Sequence, residues 1–109
     1  MAKAILYVES HPSAPERLDE YNTWYNDTHL PEVVALEGFV SARRFEPVDA
    51  DGPFVAIYEI DAADPSAALA NLGKAAGSGQ LNMSDVLQMD PPPTMRLLGE
   101  SASYEPTTA

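Results

Sequence analysis

Histidine is the residue type in this chain best suited to moving a proton near neutral pH, because its unperturbed pKa is about 6.5. The chain has two histidines, His11 and His29. His29 lies in a segment rich in aromatic and amide side chains, so it is the candidate catalytic general acid or base. A structural role is the alternative, in which His29 pairs with a backbone group freed by the nearby Pro31. His11 follows a predicted strand and is a candidate ligand contact at a cleft mouth, although an exposed loop histidine commonly has no specific role.

Aromatic side chains that could bind a flat substrate are the next candidates. Five of them are candidate substrate-binding residues: Tyr25, Trp24, Tyr21, Tyr7 and Tyr58. Such rings can stack on a ligand and offer a hydroxyl or indole donor, but at helical spacing they also commonly form core. Tyr25 precedes His29 by one helical turn and is the strongest of the three on the predicted helix, which are Tyr21, Trp24 and Tyr25. Tyr7 and Tyr58 lie on predicted strands, and the sequence leaves open which face each of them occupies.

Two arginines, Arg43 and Arg44, lie side by side on a predicted strand, so one must face each side of the sheet. Either could attract a substrate carboxylate. We favour the simpler interpretation, in which both are solvated and pair with the acidic surface.

Composition excludes several classes of function. With 109 residues and a net charge of −11, the chain fits one domain whose surface repels nucleic acid and anionic lipid. The absence of cysteine removes thiolate nucleophiles and sulfur-ligated zinc. The two histidines do not have a metal-ligand spacing and no nucleotide-binding motif is present, so no metal or cofactor is implied. Residues 1–9 lack the features of a signal peptide, and we expect a cytoplasmic protein.

The first half of the chain must position His29. An apolar run predicts a strand over residues 2–9, and Ser13 with Glu16 matches a capping box that starts a helix, with Pro15 in its first turn. Pro31 predicts a break or kink near residues 29–30, followed by a short helical turn through Val34 to Leu36. Gly38 then predicts a left-handed cap before a second strand over residues 39–48.

The second half predicts a strand over residues 54–60, a helix and a last strand over residues 94–100. The turn between the second and third strands contains Asp49, Asp51, Gly52 and Pro53. The helix has Asp64 as N-cap, Pro65 in its first turn, a buried stripe and an end at Gly77. That stripe comprises Leu69, Leu72 and Ala76. Residues 77–93 are predicted to be loop with a possible helical turn over residues 84–89, and the tail from residue 101 is expected to be flexible.

This order, β-α-β-β-α-β, predicts an α+β protein: a single ferredoxin-like domain over residues 1–109, with an ordered core over residues 2–100. Its antiparallel sheet should carry both helices on one face. In residues 4–8 and 54–58, however, both the odd-numbered and the even-numbered side chains are apolar, so both faces of the sheet should be covered. A second copy of the sheet is the simplest cover and predicts a homodimer, whereas a monomer with its strands flanked by loops is the alternative.

The segment YNTWYNDTHLPE, residues 21–32, followed by LEGF, residues 36–39, resembles the EthD-like branch of the dimeric α/β-barrel superfamily. This resemblance implies a dimeric α/β barrel in which His29 lies in a cleft between sheet and helices. Such relatives include polyketide cyclases, decarboxylases, lactone isomerases and cofactor-free monooxygenases. Haem-degrading members carry an iron-ligating histidine on a helix, and the second predicted helix here has none, which disfavours that function.

These observations predict a cofactor-independent enzyme that acts on a phenolic, aromatic or β-keto compound, with His29 transferring the proton. A non-catalytic dimer that binds or delivers a small molecule is the alternative. A purely structural dimer, whose own aromatic side chains fill the cleft, is a third hypothesis.

Overall fold

A computed structural model describes residues 2–49 and 52–106 and shows the predicted α+β architecture. The four-stranded sheet is antiparallel, with the strand order β2-β3-β1-β4. Its strands are β1 (Ala2–Ser10), β2 (Phe39–Phe45), β3 (Phe54–Ala62) and β4 (Thr94–Gly99). The predicted second strand is therefore three residues too long, and the third is two residues too short.

The helices lie on one face of the sheet. A 3-10 turn, Pro15–Arg17, leads into α1 (Leu18–Trp24), a π-helical turn (Tyr25–His29) and α2 (Leu30–Val34), which together form one continuous helical segment. The last helix, α3 (Pro65–Ser78), follows β3. The order of elements is thus the predicted β-α-β-β-α-β, and it confirms the ferredoxin-like fold.

The core lies between this sheet face and the helices. Strand β1 buries its even-numbered side chains there, such as Leu6 and Val8, and β3 buries Tyr58 and Ile60. The helical segment contributes Tyr21, which is fully buried. Alternation along the strands turns the remaining side chains to the opposite face, which is only partly covered within one chain.

Two predictions about the first helical segment are wrong. Ser13 does not form a capping box: its backbone N–H donates to the Val86 carbonyl at 2.7 Å, and the N-cap is Ala14, without a side-chain hydrogen bond among the described residues. Nor does the segment break at residues 29–30, because the π-helical turn continues it into α2. The short helical turn predicted after Pro31 corresponds to α2, which ends at Val34, two residues before the predicted end at Leu36.

The caps of α3 are partly as predicted. Asp64 accepts a hydrogen bond from the Ser66 N–H at 3.1 Å, and Pro65 occupies the first turn. The buried stripe is instead Ala68, Leu72 and Ala75, since Leu69 is half-buried and Ala76 is exposed. The helix continues past Gly77 to Ser78 and ends at Gly79, whose φ of 83° is left-handed.

The connections agree with the sequence in part. Gly38 has the predicted positive φ, 98°. No helical turn forms over the described residues 84–89, where Leu87 instead makes a β-bridge with Pro12. Asp51 of the predicted hairpin turn lies outside the described residues. Within the described ranges, no helix is both long and apolar enough to cross a membrane.

Candidate functional site

The π-helical turn lies in the predicted functional segment and contains His29. Its characteristic hydrogen bond runs from the Leu30 N–H to the Tyr25 carbonyl, five residues back. Pro31 has no N–H to donate, and its ring would clash with the carbonyl four residues before it in a regular α-helix. The wider turn relieves that clash while the helix continues. Such turns occur frequently at functional sites.

His29 is held between two aromatic rings. It stacks on Trp24 with ring centroids 4.6 Å apart and meets the edge of Tyr25 at 5.0 Å. Its Nδ1 atom is buried and has no hydrogen-bond partner among the described residues. Burial lowers the pKa of His29 to about 4, and the Glu32 carboxylate opposes that shift only in part. The imidazole is therefore neutral at physiological pH.

Trp24 and Glu32 attach the loop before β4 to the helical segment. The Trp24 indole donates to the Asn82 carbonyl at 2.8 Å, and a Glu32 oxygen accepts from the Asn82 N–H at 2.8 Å. The other Glu32 oxygen accepts a hydrogen bond from the side-chain amide of Asn82. Trp24 thus packs against His29 while its polar atom is already used. The glutamate of the Pro-Glu pair is a structural anchor that the sequence interpretation missed.

Three tyrosines pack under the helical segment. Tyr21 meets the edge of Tyr25 at 5.6 Å between ring centroids, and its hydroxyl shares a 2.6 Å hydrogen bond with Ser10. Tyr58 reaches the same region from β3, and its buried hydroxyl has no hydrogen bond of good geometry within the described ranges. Burial raises the pKa of all three phenols, and the adjacent Tyr25 raises that of Tyr58 further. All three are therefore neutral.

Arg44 is half-buried against these tyrosines, which corrects the solvated interpretation. Its guanidinium carbon lies 4.4 Å from the Tyr25 ring centroid, 5.2 Å from that of Tyr21 and 5.4 Å from that of Phe54. Its Nη1 donates to Asn26 Oδ1 at 2.8 Å, whereas Nε and Nη2 are buried without partners in the described chain. Arg43 is exposed on the other face of the sheet, where its guanidinium lies over the Phe45 ring, so the solvated interpretation holds for this arginine.

A β-bulge in β2 decides which arginine turns inward. Phe39 pairs with Ile60 and Ala42 with Tyr58, so residues three apart face the helices across the irregularity at Val40. Regular alternation from the buried Phe39 would have turned Arg43 inward. The extra residue instead gives that position to Arg44, opposite Ala56.

We refer to Tyr21, Tyr25, His29, Arg44 and Tyr58 as the Tyr25 cluster. Tyr25 contacts the rings of Tyr21 and His29, the Arg44 guanidinium lies over its ring, and the Tyr58 hydroxyl lies near its own. Four buried polar atoms of this cluster lack hydrogen-bond partners among the described residues. They are His29 Nδ1, Arg44 Nε, Arg44 Nη2 and the Tyr58 hydroxyl oxygen.

Two of the predicted site residues lie away from this cluster. Tyr7 points to the opposite sheet face, where its hydroxyl donates to Glu9 at 2.8 Å, and that hydrogen bond raises its pKa. His11 is exposed and borders a cavity of about 130 Å³ formed with Pro91, Pro92 and Pro93. The structure thus brings together five of the predicted residues, with Tyr21, Trp24, His29 and Tyr58 around Tyr25, and adds Arg44.

A cavity of about 330 Å³ opens onto the cluster beside Arg44. Asn22, Asn26 and Phe54 line it, and Phe45 and Glu46 form its outer side. Neither His29 nor Tyr25 lines this cavity or the other four that we describe. Among the described residues, no group of three histidine or acidic side chains could hold a metal ion.

Comparison with known proteins identifies similar structures but no similar sequence family. No protein-family model matches the chain, and no curated protein shows significant sequence similarity. A point variant of MhuD, crystallised with two manganese protoporphyrin IX molecules per active site, aligns at a TM-score of 0.62. This alignment covers 94% of this chain and 99% of the MhuD chain at 12% identity. NE2512, a protein of unknown function from Nitrosomonas europaea, aligns at a TM-score of 0.57. That alignment covers 99% of this chain and 98% of the NE2512 chain at 19% identity. These likenesses show the fold of the chain, a ferredoxin-like α+β domain.

Proposed function

We propose that this protein is a cofactor-independent enzyme that binds a small phenolic, aromatic or β-keto compound at the Tyr25 cluster. The observation that carries the proposal is the set of four unpaired polar atoms buried there. Folded proteins pair nearly all buried polar groups, because an unpaired one costs about 1–3 kcal/mol. Several unpaired groups around one ring are readily explained if a ligand completes their hydrogen bonds.

In this proposal His29 is the general base. Burial keeps its imidazole neutral, so a ring nitrogen can accept a proton from a phenol or from a carbon next to a carbonyl. A pKa of about 4 is low for a base that works near neutral pH. The anion formed in the reaction raises it, because a nearby negative charge stabilises imidazolium. The resulting enolate or phenolate can lead to cyclisation, isomerisation or decarboxylation, or to oxygenation in which dioxygen is the oxidant.

The EthD-like resemblance supports this assignment. Its motif, residues 21–39, spans α1, the π-helical turn and α2, and it includes Tyr21, Tyr25 and His29. Tyr21, Trp24, Tyr25 and Tyr58 are the proposed substrate contacts. Tyr7 and His11 have no contact with the cluster that would support the same role, so the proposal does not depend on them.

The proposed enzyme is a homodimer joined through the sheet face opposite the helices. Ile5, Ile57 and Leu98 are apolar residues of that face, and they are only partly covered within one chain. A second copy can cover this face symmetrically, as the dimeric α/β-barrel fold requires. A cytoplasmic location, with no nucleic acid or membrane partner, stays a prediction from the sequence.

A non-catalytic binding protein is the second candidate. Access favours it, since Arg44 borders a cavity of about 330 Å³, whereas His29 borders none of the five that we describe. The porphyrin bound by the MhuD variant does not suggest a third candidate. The sequence places no histidine on α3, and the identity between the two chains is only 12%.

The test compares wild type with His29→Gln and with His11→Gln, the matched control in an exposed loop. Each protein is incubated with a metabolite extract of the producing cell, and the compounds are followed by mass spectrometry. We expect wild type and His11→Gln to consume a compound that His29→Gln leaves intact, while all three unfold at similar temperatures. A compound retained unchanged by all three would support the binding protein instead. If none consumes or retains a compound, both candidates are wrong.

A further inference from the structure

The guanidinium of Arg44 has no anionic partner among the described residues, although the chain is strongly acidic. Seventeen Asp and Glu residues face six Lys and Arg residues, yet no carboxylate lies within 4 Å of Arg44 in the described ranges. Glu46 borders the same cavity without forming an ion pair with it. Arg17, by contrast, pairs with both Glu20 and Asp85. The half-buried positive charge of Arg44 is thus not balanced by any carboxylate of the described ranges.

The two unpaired donors of Arg44 share one edge of the guanidinium. Nε–H and one N–H of Nη2 point in parallel along that edge, while Nη1 lies at the other side and is occupied by Asn26. A parallel pair of donors matches two oxygens of one planar anion. The surrounding rings do not replace such an acceptor, because an N–H group that meets a π face forms a weaker contact than one that meets an anionic oxygen.

The elements on either side hold this edge in place. Arg44 is fixed on β2 opposite Ala56, and Asn26 holds Nη1 from the π-helical turn. Tyr21, Tyr25 and Phe54 restrict the plane of the guanidinium from around it. Such preorganisation reduces the entropy lost when a ligand binds.

We propose that Arg44 binds the anionic group of the small molecule, and that this group is a planar two-oxygen anion: a carboxylate or the enolate of a β-dicarbonyl compound. The ligand enters through the cavity of about 330 Å³ that Arg44 shares with Asn22, Asn26 and Phe54. The inference rests on the proposed function, and it narrows the substrate class to compounds that carry or form such an anion. Arg44 and His29 both contact Tyr25. When His29 takes a proton from a ligand bound at Arg44, the negative charge that forms on the ligand therefore lies near the guanidinium.

Side-chain NMR of the wild-type protein tests this directly. The chain has four arginines, Arg17, Arg43, Arg44 and Arg96, so four Nε–H signals report separately. Benzoate is titrated into the protein, and benzamide, which has a similar shape but no charge, is titrated into a second sample. We expect benzoate to shift the Arg44 signal to saturation while the other three barely move, and benzamide to bind about tenfold more weakly or less. If the Arg44 signal ignores benzoate, or responds equally to both compounds, the proposal is overturned.

Arginine variants, titrated with the same two compounds, provide a second test of the proposal. Arg44→Gln should lose the preference for benzoate over benzamide, and Arg44→Lys should weaken it, because lysine offers no parallel pair of donors. Arg17→Gln changes the net charge by the same amount at a residue outside the cluster, paired with Glu20 and Asp85, and should keep the preference. Equal discrimination by wild type and Arg44→Gln would overturn the proposal. If a variant does not fold, the wild-type titration alone decides.

Failure here is distinguishable from failure of the proposed function. A protein that consumes a compound through His29 but shows no anion response at Arg44 acts on a neutral substrate, so only this inference is wrong. One that binds benzoate at Arg44 but consumes nothing is a binding protein for anions. In that case the anion site stands without the enzyme.

Discussion

At the scale of single residues, burial determines the charge states in the Tyr25 cluster. Tyr21, Tyr25 and Tyr58 lie in the core, and burial raises their pKa values because a phenolate would lose its hydration. The same effect lowers the pKa of His29, and the guanidinium of Arg44 is the cationic group of the cluster. One cation therefore lies among neutral donors and acceptors.

The low pKa of His29 predicts how stability depends on pH. The folded protein holds His29 at a pKa of about 4, below the ordinary value of about 6.5, so the unfolded chain binds the extra proton first as pH falls. His29 therefore lowers the free energy of unfolding between pH 6.5 and pH 4. The loss between pH 7 and pH 5 is about 2 kcal/mol, and the full stability is present above pH 6.5.

Urea unfolding at pH 7 and at pH 5 measures this loss. The difference between the two pH values should shrink by about 2 kcal/mol in His29→Gln and stay unchanged in His11→Gln. An identical pH dependence in wild type and His29→Gln would show that His29 titrates normally in the folded protein.

At the scale of elements, two local irregularities assemble the cluster. The π-helical turn carries the helical segment past Pro31 and keeps Tyr25 and His29 in contact. The bulge in β2 turns Arg44 toward the same tyrosines. Gly38 lies between these two features and packs closely against α3, which makes it sensitive to substitution.

Substitution of Gly38 should show how tightly this junction is packed. Its φ of 98° disfavours any side chain, and an added Cβ would lie 2.8 Å from the Ala68 Cβ. We expect Gly38→Ala to lower the free energy of unfolding by roughly 2 kcal/mol or more. Gly73→Ala is the matched control within α3, where a Cβ meets nothing within 4 Å, and it should stabilise the protein by about 0.5–1 kcal/mol. Denaturant unfolding of both variants measures the two effects, and an unchanged stability in Gly38→Ala would contradict the tight junction.

At the scale of the whole molecule, the sheet separates two environments. One face packs against the helices and holds the Tyr25 cluster, while the opposite face leaves apolar side chains partly exposed. A cavity of about 450 Å³ on that face is bordered by Ile5, Val40, Glu59 and Leu98 among others. This surface is suited to a second copy of the chain.

A charge placed on the opposite face should separate the proposed dimer. Ile57 lies between Tyr7 and Arg43 on neighbouring strands, near the middle of that face. In sedimentation equilibrium, we expect wild type to be a dimer and Ile57→Asp to be a monomer, because an aspartate buried at an interface loses its hydration. Val48→Asp introduces the same charge at a fully exposed position off the strands and should remain dimeric. A monomeric wild type would contradict the proposed assembly.

Much of the fold follows from the sequence because its signals are local. Pro65 after Asp64 begins α3, Gly38 marks a left-handed turn, and apolar runs define the central strands, each through backbone preference or burial of nearby residues. The predicted capping box at Ser13 is wrong for the opposite reason: the Ser13 N–H donates to the carbonyl of Val86, which is distant in sequence. Local patterns cannot anticipate such a competing partner.

The sequence by itself determined the order of elements and the segment that carries His29 and Tyr25. Only the tertiary structure decided how this segment passes Pro31 and which arginine joins it. The π-helical turn forms because continued packing of the helix on the sheet outweighs the tendency of proline to end it. The bulge at Val40 shifts the pairing of β2 with β3 by one residue. As a result Arg44, and not Arg43, faces the helices. Pairing between strands, which no short stretch of sequence specifies, thus placed the single cation in the cluster.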